Sequence, residues 1–594
     1  MNPLKEGPLM ELAREGSAKN PLNFPPPGAE KALWPGEGVP EEWKDLKKYF
    51  PPREYWPDFI WDFRVCPELR LIPYEFNLGE LAVDRNAKRF PDRPAIYYED
   101  KKITWGELEV AVNKAGNALL ALGVGHNDRV GLYMPNRPEW LIVNFAIWKI
   151  GGIPVLINHL FRADNVKYMA NDSGAKVIVA DGETVDELLK VRDNLSTVQN
   201  VIVLDVDRPG TIRYEDFVNS QSSKLEPART TRYHVARLIY TSGTTGRPKG
   251  AIRTADQVIA ANVCHGGYIL GLTPKDVCGG HPYFTFAFGS VNFTFYPWYF
   301  GAATSIIKRF VPEKQWELVE KHRITQLYVV PTALKQMLMV ENVEEKYDIS
   351  SLRLVQSAAD ILPAAIIREW RRRFPDVELI DSLGSSELQY WLSTRPGWPE
   401  EKIGSIGYSV PGMECAIMRE DGSFAPPNEE GELVTRGIWG NLYWNRPEEQ
   451  AKSVIKGWNR MGLYALMDPD GCFWLKGRTA SIIKYSGYTI VGQEVAARLL
   501  EHPAVKDAAV VGSYDPLRGQ IVKALVILNE GYKPTSELAE ELRQFVKEKL
   551  EFYKVPRIVE FVQELPRTVT GKIDLVALQQ MELRTQERSK SPSS

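Results

Sequence analysis

Cysteine is scarce: Cys66, Cys264, Cys278, Cys415 and Cys472 are the only ones in 594 residues, and no two form a CxxC pair. That scatter argues against a disulfide framework or a zinc knuckle and suits a reducing compartment. Excess charge is missing too. With 73 basic and 76 acidic residues the net charge is −3, so no broad nucleic-acid or anionic-membrane surface is expected and any anion site must be local. No apolar run reaches membrane-spanning length; Tyr283–Phe300, rich in Phe and Tyr, is broken by small and polar residues and reads as a buried wall. The N-terminal stretch lacks the apolar core of a secretion signal, and Glu6, Glu11 and Glu15 argue against an organellar presequence, so a cytoplasmic location is expected. Low-complexity linkers and short internal repeats are absent. What is left, 44% apolar and 25% charged, describes an ordinary globular protein large enough for two or three domains.

Residues 1–72 carry Pro51, Pro52, Trp56, Trp61 and Pro67 and are expected to form an irregular extension packed on the main body. Residues 73–479 alternate. The spacing predicts helices over Glu107–Leu122, Pro138–Ile150 and Val185–Leu195, and strands over Arg129–Tyr133, Lys176–Ala180 and Val201–Val206. Such alternation gives the fold class as α/β: a large multi-layer N-terminal domain of mixed, largely parallel sheets. Turn-rich residues 403–479 predict a β-rich subdomain within it. Residues 480–594 predict a small, mobile α+β domain, with strands over Val505–Gly512, Ile521–Leu528 and Arg557–Val562 and a helix over Thr535–Leu550. A short hinge is expected near Arg478–Ile482.

The segment Thr241-Ser242-Gly243-Thr244-Thr245-Gly246-Arg247-Pro248-Lys249-Gly250 follows the mostly apolar run Val235–Tyr240. Three glycines, four hydroxyl residues and a lysine describe a loop that wraps a polyphosphate. Glycines allow close approach, successive N–H groups and hydroxyls donate to phosphate oxygens, and Lys249 adds charge. The spacing is neither that of a Walker loop nor that of a dinucleotide GxGxxG.

This loop resembles the signature of the adenylate-forming enzymes, whose acyl-CoA synthetase and aryl-acid–CoA ligase branch the chain matches at landmarks from about Asn77 to Leu575. The resemblance implies that ATP, CoA and a small carboxylic acid are substrates and that Mg²⁺ is required. It assigns Glu387, in Asp381-Ser382-Leu383-Gly384-Ser385-Ser386-Glu387, to the metal, and Ser386 to the α-phosphate. Asp381 would accept from the adenine amino group, with Ser382, Leu383 and Gly384 lining the base. Ser357-Ala358-Ala359-Asp360 resembles the Ser-Ala-Gly-Glu of aryl-CoA ligases, placing Ala358 at the acyl pocket and Ala359 near adenine. Phe286, Phe288, Gly289 and Asn292 resemble the Phe-Ala-Tyr-Gly-x-x-Asn acyl segment of benzoate-type ligases. Lys572, in Pro566-Arg567-Thr568-Val569-Thr570-Gly571-Lys572, matches the lysine that contacts carboxylate and α-phosphate. Lys484, Ser486, Gly487 and Tyr488 would flank the CoA thiol in the second half-reaction. His265 and His281 read as structural.

The resemblance is broken in places. Where the family has Trp-x-x-Thr-Gly-Asp, this chain has Trp458-Asn459-Arg460-Met461-Gly462-Leu463, so the aspartate that accepts both ribose hydroxyls is leucine, leaving Arg478 as the family ribose contact. Leu383 replaces an aromatic residue, and Ala480, Thr489 and Leu575 stand at usually polar or basic positions. The expectation is an AMP-forming ligase that activates a small-to-medium acyl or aryl acid and passes it to CoA. The alternatives are a nucleotide- or acyl-CoA-binding paralogue with little turnover, or an adenylating enzyme with a non-CoA acceptor. A monomer or homodimer fits equally.

Overall fold

The computed structural model describes residues 9, 25, 28–36, 40–241, 248–478, 482–485, 488–515, 519–567, 573–575 and 577–582. The chain divides into two compact units. One holds residues 1–241, 248–415 and 435–459; the other holds 242–247, 416–434 and 460–594.

Two large sheets build the first unit. In one, Val235–Thr241, Ile153–Leu156, Arg129–Tyr133, Ala175–Ala180, Asn200–Val203 and Ile212–Arg213 run parallel, and Lys249–Thr254 and Tyr443–Trp444 add an antiparallel edge beside Val235–Thr241. In the other, Glu378–Ser385, Leu354–Ala358, Gln326–Val329, Val277–Gly280, Ala303–Ile306 and Pro94–Tyr98 are parallel neighbours, flanked by antiparallel Gln389–Ser393 and Lys101–Thr104. The parallel strands are largely buried, fully so at Ile153–Leu156 and Gln326–Val329, as in sheets covered on both faces.

Local chemistry explains the helices. Trp105–Ala121 starts at a capping box in which Thr104 and Glu107 satisfy each other's exposed donors. Pro138 opens Pro138–Lys149, where a missing N–H costs nothing. Val185–Leu195, expected as one helix, is α-helical only over Val185–Leu189. A 3₁₀ turn follows at Arg192–Asn194, and Arg192 donates to the Val198 and Gln199 carbonyls, bending the chain toward the next strand. The Tyr283–Phe300 wall is three short helical segments, Ala287–Ser290, Val291–Phe295 and Tyr296–Phe300, and is largely buried.

The N-terminal segment packs on this unit through tryptophan. Trp43 and Trp61 are fully buried, Trp43 donates to the Tyr233 carbonyl at 2.7 Å, and Trp34 donates to the Asp256 carboxylate at 2.7 Å.

In the second unit, residues 463–467 of strand Trp458–Met467 pair antiparallel with Phe473–Arg478. Val505–Asp515, Gly519–Leu528, Ile482–Tyr485 and Tyr488–Val491 form an antiparallel sheet, which Ile558–Phe561 joins in parallel. Helices Gly492–Leu500 and Ser536–Lys547 bury Val495, Leu499, Leu538, Leu542 and Val546 against it. Thr535 caps the second helix by accepting from the Leu538 amide. Among the described residues, no helix is long and apolar enough to cross a membrane.

Candidate active site

In the first unit the expected residues gather at the carboxyl ends of parallel strands, where open α/β sheets bind ligands. Thr241 ends its strand and Lys249 begins the next directly opposite it. Ser242, Gly243, Thr244, Thr245 and Gly246 between them lie outside the described residues.

Glu387 occupies the turn between Glu378–Ser385 and Gln389–Ser393. Two groups from the other sheet reach it. The Tyr443 hydroxyl donates to its Oε1 at 3.0 Å, and Arg253 donates to its backbone carbonyl. Lys249 Nζ stands 5.4 Å from the centre of the Tyr443 ring. Burial, and then the Glu387 charge, push the Tyr443 phenol far above its usual range, so it stays a donor. The turn is tight: a Cβ on Gly384 would fall 2.4 Å from the Gln389 carbonyl oxygen, and Gln389 itself holds φ +53°. Ser385 Oγ accepts from the Leu388 amide at 3.2 Å, while Ser386 stays half-buried beside the carboxylate.

One strand inward, Ala358 pairs with Ser382 and Ser357 with Asp381. The Asp381 carboxyl is buried and its Oδ1 has no hydrogen-bond partner. Burial pushes it up to about 7; the Ser382 amide opposes the shift and the Asp360 charge adds to it. A buried acceptor without a donor is costly unless a ligand completes it, and the adenine amino group is chemically matched to do so. Ala359 follows at φ +74°, a left-handed conformation that glycine adopts freely and alanine does not.

The acyl segment is tied to the same turn. A Cβ on Gly289 would lie 2.0 Å from the Tyr283 carbonyl oxygen, so this close backbone approach requires glycine. Asn292, fully buried, donates to Gln356 Oε1 at 2.8 Å and accepts from the Tyr390 hydroxyl at 2.9 Å. Phe288 meets the Tyr390 ring edge-on with centroids 6.4 Å apart, and Phe286 is half-buried at the start of the helix. Tyr390 therefore joins the aromatic segment to the strand that leaves Glu387. His265 stacks on Tyr390 at 4.3 Å, and its ring nitrogens meet Tyr296 and Ser382 at 3.0 and 3.4 Å. Burial, with the Arg395 charge, lowers its pKa to about 3, which makes it a neutral structural ring. His281 accepts from the Val330 amide at 3.3 Å, and burial lowers it to about 4.

Sequence reasoning did not find Tyr443, Arg253, Gln356 or Tyr390. Arg253 carried a signal, being a charge directly after the apolar pair Ala251 and Ile252 in the strand that leaves the loop. Tyr443 carried none, since it lies 56 residues from Glu387 in the chain.

In the second unit, Leu463 and Arg478 are direct cross-strand partners, with Leu463 half-buried. Lys484 pairs with Thr489, and Tyr485 with Tyr488, across an antiparallel hairpin. Ser486, Gly487 and Lys572 lie outside the described residues, as do residues 479–481 of the expected hinge.

A family model described as AMP-binding enzyme matches residues 83–441, and one described as AMP-binding enzyme C-terminal domain matches 494–572. The chain belongs to the AMP-binding enzyme family. As a family member it is an adenylate-forming enzyme. It is 33% identical over 556 residues to an acetyl-coenzyme A synthetase of Bacillus subtilis (strain 168), covering 91% of this chain and 96% of that one. It is 30% identical over 526 residues to a benzoate–CoA ligase of Thauera aromatica, covering 86% and 97%. Among solved structures it resembles the anthranilate CoA ligase AuaEII in complex with anthranoyl-AMP, with TM-score 0.78 and 30% identity, covering 87% of this chain and 99% of that one.

Proposed function

We propose that this AMP-binding enzyme is an AMP-forming acid–CoA ligase for a small-to-medium acyl or aryl carboxylic acid. In the first half-reaction a substrate carboxylate oxygen attacks the α-phosphorus of ATP and pyrophosphate leaves. In the second, the CoA thiolate attacks the acyl carbonyl of the mixed anhydride and AMP leaves. No protein nucleophile is needed, so the chain's work is positioning and charge stabilisation.

The observation that carries this reading is the meeting of both large sheets at Glu387, where Tyr443 holds the carboxylate and Arg253 the backbone beside Lys249. A half-buried carboxylate held by one phenol, in a turn that also carries Ser385 and Ser386, suits a hard ion that keeps several waters. Bound there, Mg²⁺ would neutralise phosphate charge. Thr241 and Lys249 would hold the phosphate loop, Asp381 the adenine amino group, and Lys572 the carboxylate and α-phosphate oxygens. The aromatic and amide groups of Phe288, Asn292 and Tyr390 would define an acyl slot. Relatives bearing acetyl, benzoate and long-chain-fatty-acid names lie at similar identity, so identity alone does not select the acid. The small domain would turn about residues 478–482 to bring Lys484, Ser486, Gly487 and Tyr488 to the thiol, in a cytoplasmic, reducing setting.

Leu463 opposite Arg478 favours a second reading, weak ATP use by a nucleotide-binding paralogue, because it removes the charged ribose acceptor. Incubation with ATP, Mg²⁺, CoA and an acid panel separates them. The ligase releases AMP and pyrophosphate and forms one acyl-CoA per AMP. Binding of ATP without acid-dependent AMP would select the paralogue, and AMP release without CoA consumption would select another acceptor.

A further inference from the structure

At the opposite end of the first sheet, three residues from distant parts of the chain meet. Glu42 comes from the 3₁₀ segment Glu41–Tyr49, His126 from the turn before strand Arg129–Tyr133, and His234 from the position just before strand Val235–Thr241. One carboxylate oxygen faces both rings: Glu42 Oε1 lies 2.8 Å from His126 Nε2 and 3.3 Å from His234 Nδ1. All three donor atoms lie within 4.8 Å of one another. The other carboxylate oxygen accepts from the Thr231 hydroxyl at 2.9 Å, which fixes the orientation of the group.

His234 is oriented by its backbone partner. Its Nε2 lies 3.0 Å from the Gly152 carbonyl oxygen, which only accepts, so Nε2 is the donor there and Nδ1 is the nitrogen that faces Glu42. A cation placed between Nδ1 and Glu42 Oε1 would take a lone pair from each, at a position where His234 is almost wholly buried. A ring N–H held by a backbone carbonyl is also how metal-binding histidines are oriented. His126, with 41% of its side chain exposed, leaves a path for an ion and a position for water.

We propose that Glu42, His126 and His234 form a zinc site that pins the N-terminal segment to the body. Two imidazole nitrogens and a carboxylate are a zinc donor set; the 3.3 Å between Glu42 Oε1 and His234 Nδ1 matches the tetrahedral edge that bonds of about 2.0–2.1 Å produce, and the exposed His126 ring, at 2.8 Å, has to draw back by about half an ångström. The site is separate from the adenylating centre. Strand Val235–Thr241 places roughly 20 Å between His234 and Thr241. The ion is therefore a structural staple, binding without entering the chemistry. It reinforces a segment that already buries Trp43 and stabilises the fold by mass action.

Tag-free, chelator-treated protein is titrated with Zn²⁺ in a calorimeter, with Mg²⁺ in excess to saturate hard-oxygen sites. One Zn²⁺ per chain is expected, with a rise in melting temperature. His126→Ala, at an exposed ring, should weaken binding by about 100-fold or more, beyond the 10–100-fold typical of losing an outer partner, and leave acid-dependent adenylation unchanged. Co²⁺ should give the intense visible bands of a four-coordinate site, and Glu42→Gln should abolish them. Zinc affinity equal in wild type and His126→Ala, or no zinc binding at all, would overturn the site and leave the cluster as three hydrogen-bonded side chains.

Discussion

The corner at Glu387 and the strand pair at Leu463 differ in how they treat polar groups. At Glu387 each chemical element has a held partner: the carboxylate accepts from Tyr443, its carbonyl from Arg253, and a glycine closes the turn at a distance no side chain tolerates. At Leu463 the backbone register is intact, with Arg478 directly opposite, but an apolar side chain stands where the resemblance calls for a carboxylate. Strand pairing is indifferent to that change because it uses only main-chain groups. The fold can therefore keep this strand register whatever side chain stands at 463, whereas the Glu387 corner depends on its side chains. In our reading, phosphate and metal handling is retained and ribose handling is weakened.

The largest test of this contrast is Glu387→Gln, which keeps shape and removes charge. Acid-dependent AMP release should fall by about 10²–10³-fold, the scale of losing one charge-stabilising group. A loss under tenfold would mean that the metal is held elsewhere. Leu463→Asp should act in the other direction, tightening ATP by about 10–100-fold through restored charge-assisted bonds to ribose. Unchanged affinity by calorimetry would remove Leu463 from the ribose site and collapse the comparison.

Asp381→Asn probes the buried carboxyl on the strand that leads into the Glu387 turn. The folded pKa, about 7, lies above the unfolded value, so the acid contributes stability that is full at low pH and lost as pH rises from about 4 to about 7. The asparagine variant lacks this loss. Its melting temperature relative to wild type should climb across that window in nucleotide-free protein, and a constant difference would contradict the assignment. Ala359→Gly is the smallest effect. Relief of the left-handed alanine should outweigh the extra freedom of glycine in the unfolded chain, giving about 1 kcal/mol of stability in chemical denaturation. A destabilised variant would show that this backbone is not strained.

Much of the architecture was readable because local signals agreed with the tertiary answer. Thr104 and Glu107 start one helix by themselves, Pro138 starts another, and Arg129–Tyr133 is apolar enough to be a central strand. Val185–Leu195 was overrun because its apolar spacing continues past Leu189, while Arg192 satisfies carbonyls beyond the helix and breaks it. The candidate site was proposed from ordered short motifs: Thr241 to Lys249, Asp381 to Glu387, Phe286 to Asn292. Its supports were not. Tyr443 reaches Glu387 only because an antiparallel edge strand returns beside Lys249–Thr254, and Asn292 meets Gln356 and Tyr390 across the second sheet. Such partners are set by sheet order, which short-range spacing does not encode.

The central claim, carboxylate activation at the Glu387 corner, is tested most directly by ATP–pyrophosphate exchange without CoA across a panel of acyl and aryl acids. Labelled pyrophosphate should enter ATP only when a suitable acid and Mg²⁺ are both present. Folded protein that binds ATP yet exchanges no label with any acid would contradict it.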